Sequence, residues 1–287
     1  MPELPEIQAL AAFLRERAVG RVVAAVEVGS VAVLKTYDPP VTSLQGLEVL
    51  SATRHGKFLD LDVDGLHLVL HLARAGWLRW YDEVPSRPLR PGGRSPQALR
   101  VRLDDGSGFD LTEAGTRKGL AVYVVRDPAE VRGIATLGPD PLDPRFDRAA
   151  LADLLRGSRH QVKGLLRDQS VLAGVGNAYS DEVLHAARIS PFALAGSLDD
   201  EQVDRLFAAL QEVLTTAVAA AAGRPAAELK DAKRAGMRVH GRTGQACPVC
   251  GDVVREVSFA DRSLQYCPTC QTGGKPLADR RTSRFLK

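Results

Sequence analysis

No stretch of the 287-residue chain stays apolar for the roughly 18 residues that a membrane-crossing helix requires. The first residues also lack the basic-then-apolar layout of a secretory signal. Both absences lead us to expect a soluble, intracellular protein. Lysine is scarce, at 8 of 38 basic residues, and cysteine scarcer, with four in all and none before Cys247. There is no internal repeat, and the alanines near 217–222 are helix filler rather than low-complexity sequence.

What is present is ordinary in bulk and uneven in placement. At this length two or three folded units are expected, and 45% hydrophobic with 25% charged residues is usual for a globular chain. The net charge of +3 conceals a division: residues 230–287 hold 12 Lys+Arg against 5 Asp+Glu, whereas the remainder holds 26 against 30. A basic end of +7 on a body of −4 is the electrostatic footprint of a nucleic-acid binder, and a solvated tail would produce it too.

All four cysteines lie in that basic end, as CPVC (Cys247, Cys250) and CPTC (Cys267, Cys270), 16 residues apart. Two tight turns each presenting two thiolates to one tetrahedral ion is the pattern of a zinc ribbon, with one Zn²⁺ per chain. Two disulfides are the alternative, disfavoured in an intracellular chain. Between the pairs, VVREVSFADRSLQY reads as two strands turning near Ala260, Asp261 and Arg262, which puts Arg262 at the tip.

The chain opens MPELPEI. Pro5 and the apolar positions Ile7, Leu10, Phe13 and Leu14 predict a helix to about residue 18, but they leave Pro2 and Glu3 without a role. From about 20 to 125 strand-like runs follow (RVVAAVEV, KFLDLDV, HLVLHL, ALRVRL, LAVYVV), suggesting an antiparallel sandwich or barrel. LGPDPLDPRF (137–146) reads as a linker. Helices come next, with Ser197 and Asp200 at capping-box spacing before a long amphipathic one. Within DQSVLAGVGNAYSDE, a glycine-containing double turn leads to Asn177 at a helix start, a plausible phosphate clamp or simply a turn.

PELPE at the N-terminus, RHGKFLDL, LGPDPL, VKGLLRDQSVLAGVGNAYSDEVL and VHGRTGQACPVCG to YCPTCQ occur in this order. In these motifs the whole chain resembles the formamidopyrimidine-DNA glycosylase/endonuclease VIII family. The resemblance implies an α+β multidomain fold: an N-terminal helix plus antiparallel β-sandwich (1–130), a linker (131–145), a helix-two-turn-helix domain (146–235) and a C-terminal zinc-ribbon β-hairpin finger with a basic tail (236–287). It implies a base-excision-repair enzyme acting as a monomer on damaged double-stranded DNA, in the bacterial cytoplasm at the nucleoid and not at a membrane.

In that family the initiator methionine is removed and the proline nitrogen attacks the sugar C1′ of a damaged nucleotide. The resemblance therefore makes Pro2 the nucleophile, Glu3 its acid/base partner and Glu6 a support for the N-terminal corner. A first-turn acid favouring the helix dipole is the other reading of Glu6. Lys57 would reach the lesion and its phosphate from a hairpin, while Lys163, Asn177 and Arg262 would grip phosphates around a turned-out nucleotide. An α-amine titrates near about 7.7–8, so part of it is unprotonated at neutral pH. The iminium adduct acidifies the adjacent sugar carbon, and β- then δ-elimination can follow base loss.

The chain also departs from the family pattern. Members that excise 8-oxoguanine fill the vacated duplex with a methionine and an Arg-Phe pair. Here Arg74 stands at the first position, and Arg117 is followed by Lys118 instead of phenylalanine; Arg74, Trp77 or Leu120 would have to substitute. The segment GRPAAELKDAKRAGMRVHGR is short, and His240 replaces the tyrosine of VYGR. We therefore expect a preference displaced from 8-oxoguanine toward formamidopyrimidines, oxidised pyrimidines, further-oxidised guanines or abasic sites. The alternatives are a catalytically inactive paralogue that binds damaged DNA, and a zinc-ribbon nucleic-acid-binding factor; neither would form a covalent intermediate.

Overall fold

The structure, a computed structural model, describes residues 1–92, 96–114, 118–259 and 263–279. They form two compact units: Met1–Leu137 with Ala221–Lys230, and Gly138–Ala220 with the described residues from Asp231 on.

The first unit opens with helix α1 (Leu4–Arg17), in which Ile7, Leu10 and Leu14 are buried and Phe13 is half-buried against Trp80. Eight strands follow: β1 (Val23–Val28), β2 (Val49–His55), β3 (Phe58–Val63), β4 (Leu66–His71), β5 (Gly76–Tyr81), β6 (Gln97–Leu103), β7 (Gly108–Glu113) and β8 (Ala121–Val125). They make two antiparallel four-stranded sheets, in the orders β1-β6-β7-β5 and β2-β3-β4-β8. Period-two alternation gives each sheet one apolar face. Leu59 and Leu61 of β3 with Leu68 and Leu70 of β4 share a core with Leu99, Val101, Phe109 and Leu111 of the other sheet. The expected sandwich is thus present.

Two hydrogen bonds set the direction of α1 across β2. Arg15 donates to the Ala52 carbonyl (2.8 Å), and Arg54 donates to Gln8 Oε1 (2.9 Å). Moving toward the N-terminus of α1 is therefore moving toward the β2–β3 turn. That turn is a two-residue loop, Gly56-Lys57, closed by the pair His55↔Phe58. Gly56 adopts φ +54°, a glycine-first geometry that matches the strand twist.

Short helix α2 (Arg132–Ala135) follows β8. The second unit contains α3 (Arg148–Leu155), α4 (Val162–Arg167), α5 (Asn177–Ala186) and most of α6 (Asp200–Ala221). The α6 cap differs from the expected Ser197–Asp200 box. Asp199 and Gln202 exchange side-chain-to-backbone bonds (2.8 and 3.0 Å), while Ser197 sits in a preceding 3₁₀ turn. After α6 the chain returns to the first unit, where Ala221, Ala226 and Leu229 join the sandwich core. Helix α7 (Leu229–Gly236) then leads to hairpin β9 (Arg255–Ser258) and β10 (Ser263–Tyr266) and to α8 (Pro268–Thr272).

The proline-rich segment after Leu137 is pinned to the helical unit. Gly138 N–H donates to Gln169 O, Ala173 N–H to Pro139 O, and Gln211 to Pro141 O. A Cβ on Gly138 would stand 2.5 Å from the Val171 backbone, so only glycine fits this approach.

A polar cluster is buried in the sandwich. Asp110 (0% exposed) accepts two bonds from Arg100 (2.7 and 2.9 Å), one from Tyr81 and one from Gln97. Arg100 also donates to the carbonyls of Pro85 and Arg87, holding the β5–β6 connection. Asp110→Ala would strand the guanidinium and is expected to cost about 3–5 kcal/mol in urea-induced unfolding.

Candidate functional site

The N-terminal corner is built by α1 itself. Glu3 is the N-cap residue, and its backbone N–H donates to Glu6 Oε2 at 2.8 Å in a reciprocal capping box. Pro2, Glu3 and Glu6 are all buried, the last two to 2% exposure, while Met1 is exposed. A carboxylate withdrawn this far from water persists where N–H groups face it, and the helix start supplies them. Because α1 runs against β2 in the sense described above, the Gly56-Lys57 tip projects at the same end of α1 as Pro2 and Glu3.

Lys57 is itself buried and stands beside His71, the last residue of β4. Burial, reinforced by the Lys57 charge, lowers the His71 pKa to about 4. Its ring lies 4.8 Å from that of Phe58. A neutral imidazole therefore flanks the lysine at physiological pH. The sequence reading passed over His71, although alternation in HLVLHL sets His67 and His71 on the face opposite the core. On that face Asp60, 3% exposed, receives His55 and His67 at 3.0 Å each, bracing the base of the lysine hairpin.

The positions proposed to fill a vacated duplex divide. Arg74 is exposed in the β4–β5 turn, next to Ala73 at φ +50°. Leu120 is 2% exposed within the sandwich core, and Trp77 packs against it. Leu120 is therefore spent on the core, Trp77 is half-buried, and Arg74 is exposed. Arg117 lies outside the described residues. Lys118 turns back to the Glu113 carbonyl (2.6 Å), and the buried Glu113 carboxylate accepts the N–H groups of Gly119 and Leu120 (2.6 and 2.9 Å).

In the second unit the turn before α5 is braced from within. Gln169 donates to the carbonyls of Arg167 and Val175 and accepts from Gly174 N–H, where φ is +85°. The turn delivers Asn177 as the first residue of α5, a ten-residue helix whose N-terminus favours anions. Lys163, expected at a phosphate, is directed inward instead. Its ammonium meets Asn177 O (3.1 Å), Ser180 Oγ (2.7 Å) and Asp181 Oδ1 (2.7 Å) at 5% exposure. The reason is Asp181, a buried carboxylate that needs a cation beside it. His240 faces the other oxygen of Asp181 (2.7 Å). Asn177 donates its side-chain amide to Ser263 O (2.8 Å). Arg262, next in sequence to Ser263, falls outside the described residues.

The four cysteine sulfurs lie within 4.8 Å of one another, with Cys250 and Cys267 at 3.3 Å and Cys247 and Cys270 at 3.9 Å. Zn–S bonds of about 2.3 Å in a tetrahedron separate the sulfurs by about 3.8 Å, so the set fits one such ion. Burial raises the thiol pKa values of Cys267 and Cys270. A divalent cation offsets that cost and releases the protons. No helix among the described residues is long and apolar enough to cross a membrane.

His71 supplies a test of the hairpin corner. Its folded pKa lies below the unfolded value of about 6.5, so the unfolded chain takes up the proton first as pH falls, and stability declines between about pH 6.5 and 4. His71→Gln is expected to flatten that part of the profile, measured as the denaturant midpoint at pH 7.5 and 4.5.

Three family models match successive parts of the chain: the formamidopyrimidine-DNA glycosylase N-terminal domain over residues 1–122, the formamidopyrimidine-DNA glycosylase H2TH domain over 137–227, and the zinc finger found in FPG and IleRS over 244–273. An uncharacterised formamidopyrimidine-DNA glycosylase-like protein of Mycobacterium tuberculosis is 61% identical over 151 residues, 53% of this chain and 94% of that one. The formamidopyrimidine-DNA glycosylase of Symbiobacterium thermophilum is 35% identical over 283 residues, 94% of this chain and 89% of that one. The crystal structure of the Lactococcus lactis enzyme, non-covalently bound to DNA containing an AP site, superposes with a TM-score of 0.80 at 25% identity, covering 94% of this chain and 99% of that one. With the finger matched and the cysteines gathered, the ribbon is the seat of one structural zinc ion. Sequence, architecture and ribbon agree, and the chain belongs to the formamidopyrimidine-DNA glycosylase family.

Proposed function

We propose that this protein is a base-excision-repair DNA glycosylase with AP-lyase activity, and that Pro2 carries the chemistry. The observation that supports the assignment is the buried Pro2-Glu3-Glu6 corner at the end of α1, which the Lys57 hairpin flanks. Once Met1 is removed, the Pro2 nitrogen is a secondary amine; while Met1 remains it is an amide and inert. Attack on C1′ breaks the glycosidic bond and the base departs. As the sugar ring opens, Glu3 transfers a proton to the ring oxygen, and an iminium joins Pro2 to C1′. Loss of a C2′ proton then expels the 3′-phosphate, and a second elimination expels the 5′-phosphate. Glu6 keeps Glu3 and the preceding amine in register through the Glu3 N–H.

A DNA phosphate would be held at the Asn177 turn, where the helix N-terminus favours an anion, and Lys57 with the neutral His71 would act at the lesion. In this reading Lys163 acts by fixing Asn177 and Asp181 rather than by holding a phosphate. A monomer suffices, because one chain supplies every group invoked. Arg74, exposed in the β4–β5 turn, can stack by its guanidinium plane but replaces less base contact than an apolar side chain. This supports a preference displaced from 8-oxoguanine.

Borohydride reduction on an abasic-site duplex is expected to trap the methionine-free protein, and blocking the N-terminus should abolish the adduct. Absence of any adduct from the authentic protein would remove the enzyme reading, and an adduct that survives the block would move the nucleophile to a lysine. Glu3→Gln is expected to slow excision by roughly 10²–10⁴-fold. On a panel of lesion duplexes, 8-oxoguanine opposite cytosine should not be the best substrate; finding it so would sink the displaced preference alone.

A further inference from the structure

Helix α5 carries a row of polar residues that make or break no bond in the proposed repair chemistry. Asn177, Asp181 and His185 recur every four residues and so share one face. Each meets the segment that forms the ribbon. Asn177 donates to Ser263 O of β10 (2.8 Å), Asp181 meets His240 (2.7 Å), and His185 Nε2 lies 3.3 Å from Cys247 Sγ. Beside this row, the 3%-exposed Glu182 accepts three successive backbone N–H groups, those of Arg238, Val239 and His240, at 2.7–3.0 Å. Gln271 adds a bond to Ile189 O (3.0 Å), just beyond the helix.

His185 is 2% exposed, and its Nδ1 is buried with no partner among the described atoms. A neutral imidazole has one N–H to give. Among the described residues no hydrogen-bond partner meets Nδ1, whereas Nε2 faces a cysteine that becomes a thiolate acceptor when zinc binds. The unpartnered lone pair at Nδ1 is the cheaper atom to leave unsatisfied, since a stranded donor would forfeit the charge-assisted bond.

We propose that His185 donates its Nε2–H to the zinc-bound Cys247 thiolate and thereby ties the ion to helix α5, so that zinc loading orders the Asn177 turn as well as the ribbon. The ion's ligands all come from the finger. The group that orients one of them comes from the helix that begins at Asn177. Outer groups of this kind set metal affinity by fixing the ligand and balancing its charge. The proposal does not depend on Pro2 chemistry and stands whether or not the chain excises bases.

Zinc transfer to the chromophoric chelator 4-(2-pyridylazo)resorcinol tests it in the full-length protein. His185→Phe, which keeps the volume and removes the donor, is expected to weaken zinc retention by about 10–100-fold. His185→Gln, which keeps an N–H donor, should recover most of the loss. A Phe variant that holds zinc as tightly as the parent would overturn the proposal. Hydrogen exchange on the unmodified protein, before and after zinc removal with EDTA, gives a second readout that needs no variant. Protection of the Arg238, Val239 and His240 amides and of α5 should fall together on zinc loss. Full protection of α5 in the stripped protein would equally overturn it.

Discussion

Two adjacent carboxylates on α5, Asp181 and Glu182, are the constraint around which the second unit is organised. Neither can remain ionised away from water without donors facing it, and each finds a different set. Asp181 draws in Lys163 from α4 and His240 from the chain ahead of the ribbon; Glu182 gathers three consecutive N–H groups of that same chain. Burial raises the Glu182 pKa, and the three N–H groups oppose it. The helix pair, the ribbon approach and the turn at Asn177 are consequently fixed by one requirement, that two buried charges be met.

The N-terminal corner solves a related problem with fewer parts. Glu3 and Glu6 are withdrawn from water at the start of α1, where the exposed N–H groups of a helix favour carboxylates. Their reciprocal capping box fixes both acids beside Pro2 without a separate scaffold. The hairpin that brings Lys57 is held from behind by Asp60 with its two histidines, a group remote from the sandwich core.

Much of this was legible in the sequence, for identifiable reasons. Five of the eight strands follow from apolar alternation. The other three were obscured: β2 by the polar run SATRH, β5 by Trp77 and Trp80, and β7 by Asp110 and Glu113, which are buried acids. Cysteine spacing alone specified the metal cluster. Lys163 was placed at a phosphate by the family resemblance, and only the fold reveals that Asp181 faces its ammonium. The burial of Leu120, one of the three alternatives for a wedge, was hidden too, since burial of one residue beside a turn depends on the sheet register. His71 and His185 were missed because each acquires its role from a partner distant in sequence or on another element.

The return of residues 221–230 to the first unit bears on how this protein can be divided. Ala221, Ala226 and Leu229 complete the sandwich core from a segment that lies more than eighty residues beyond Leu137. A fragment ending at Leu137 would therefore have an open seam in its interior. One beginning at Gly138 would carry three apolar side chains with nothing to cover them. Dissecting the protein into independently folding halves requires grafting that short segment back onto the sandwich, because the boundary in space crosses the chain more than once.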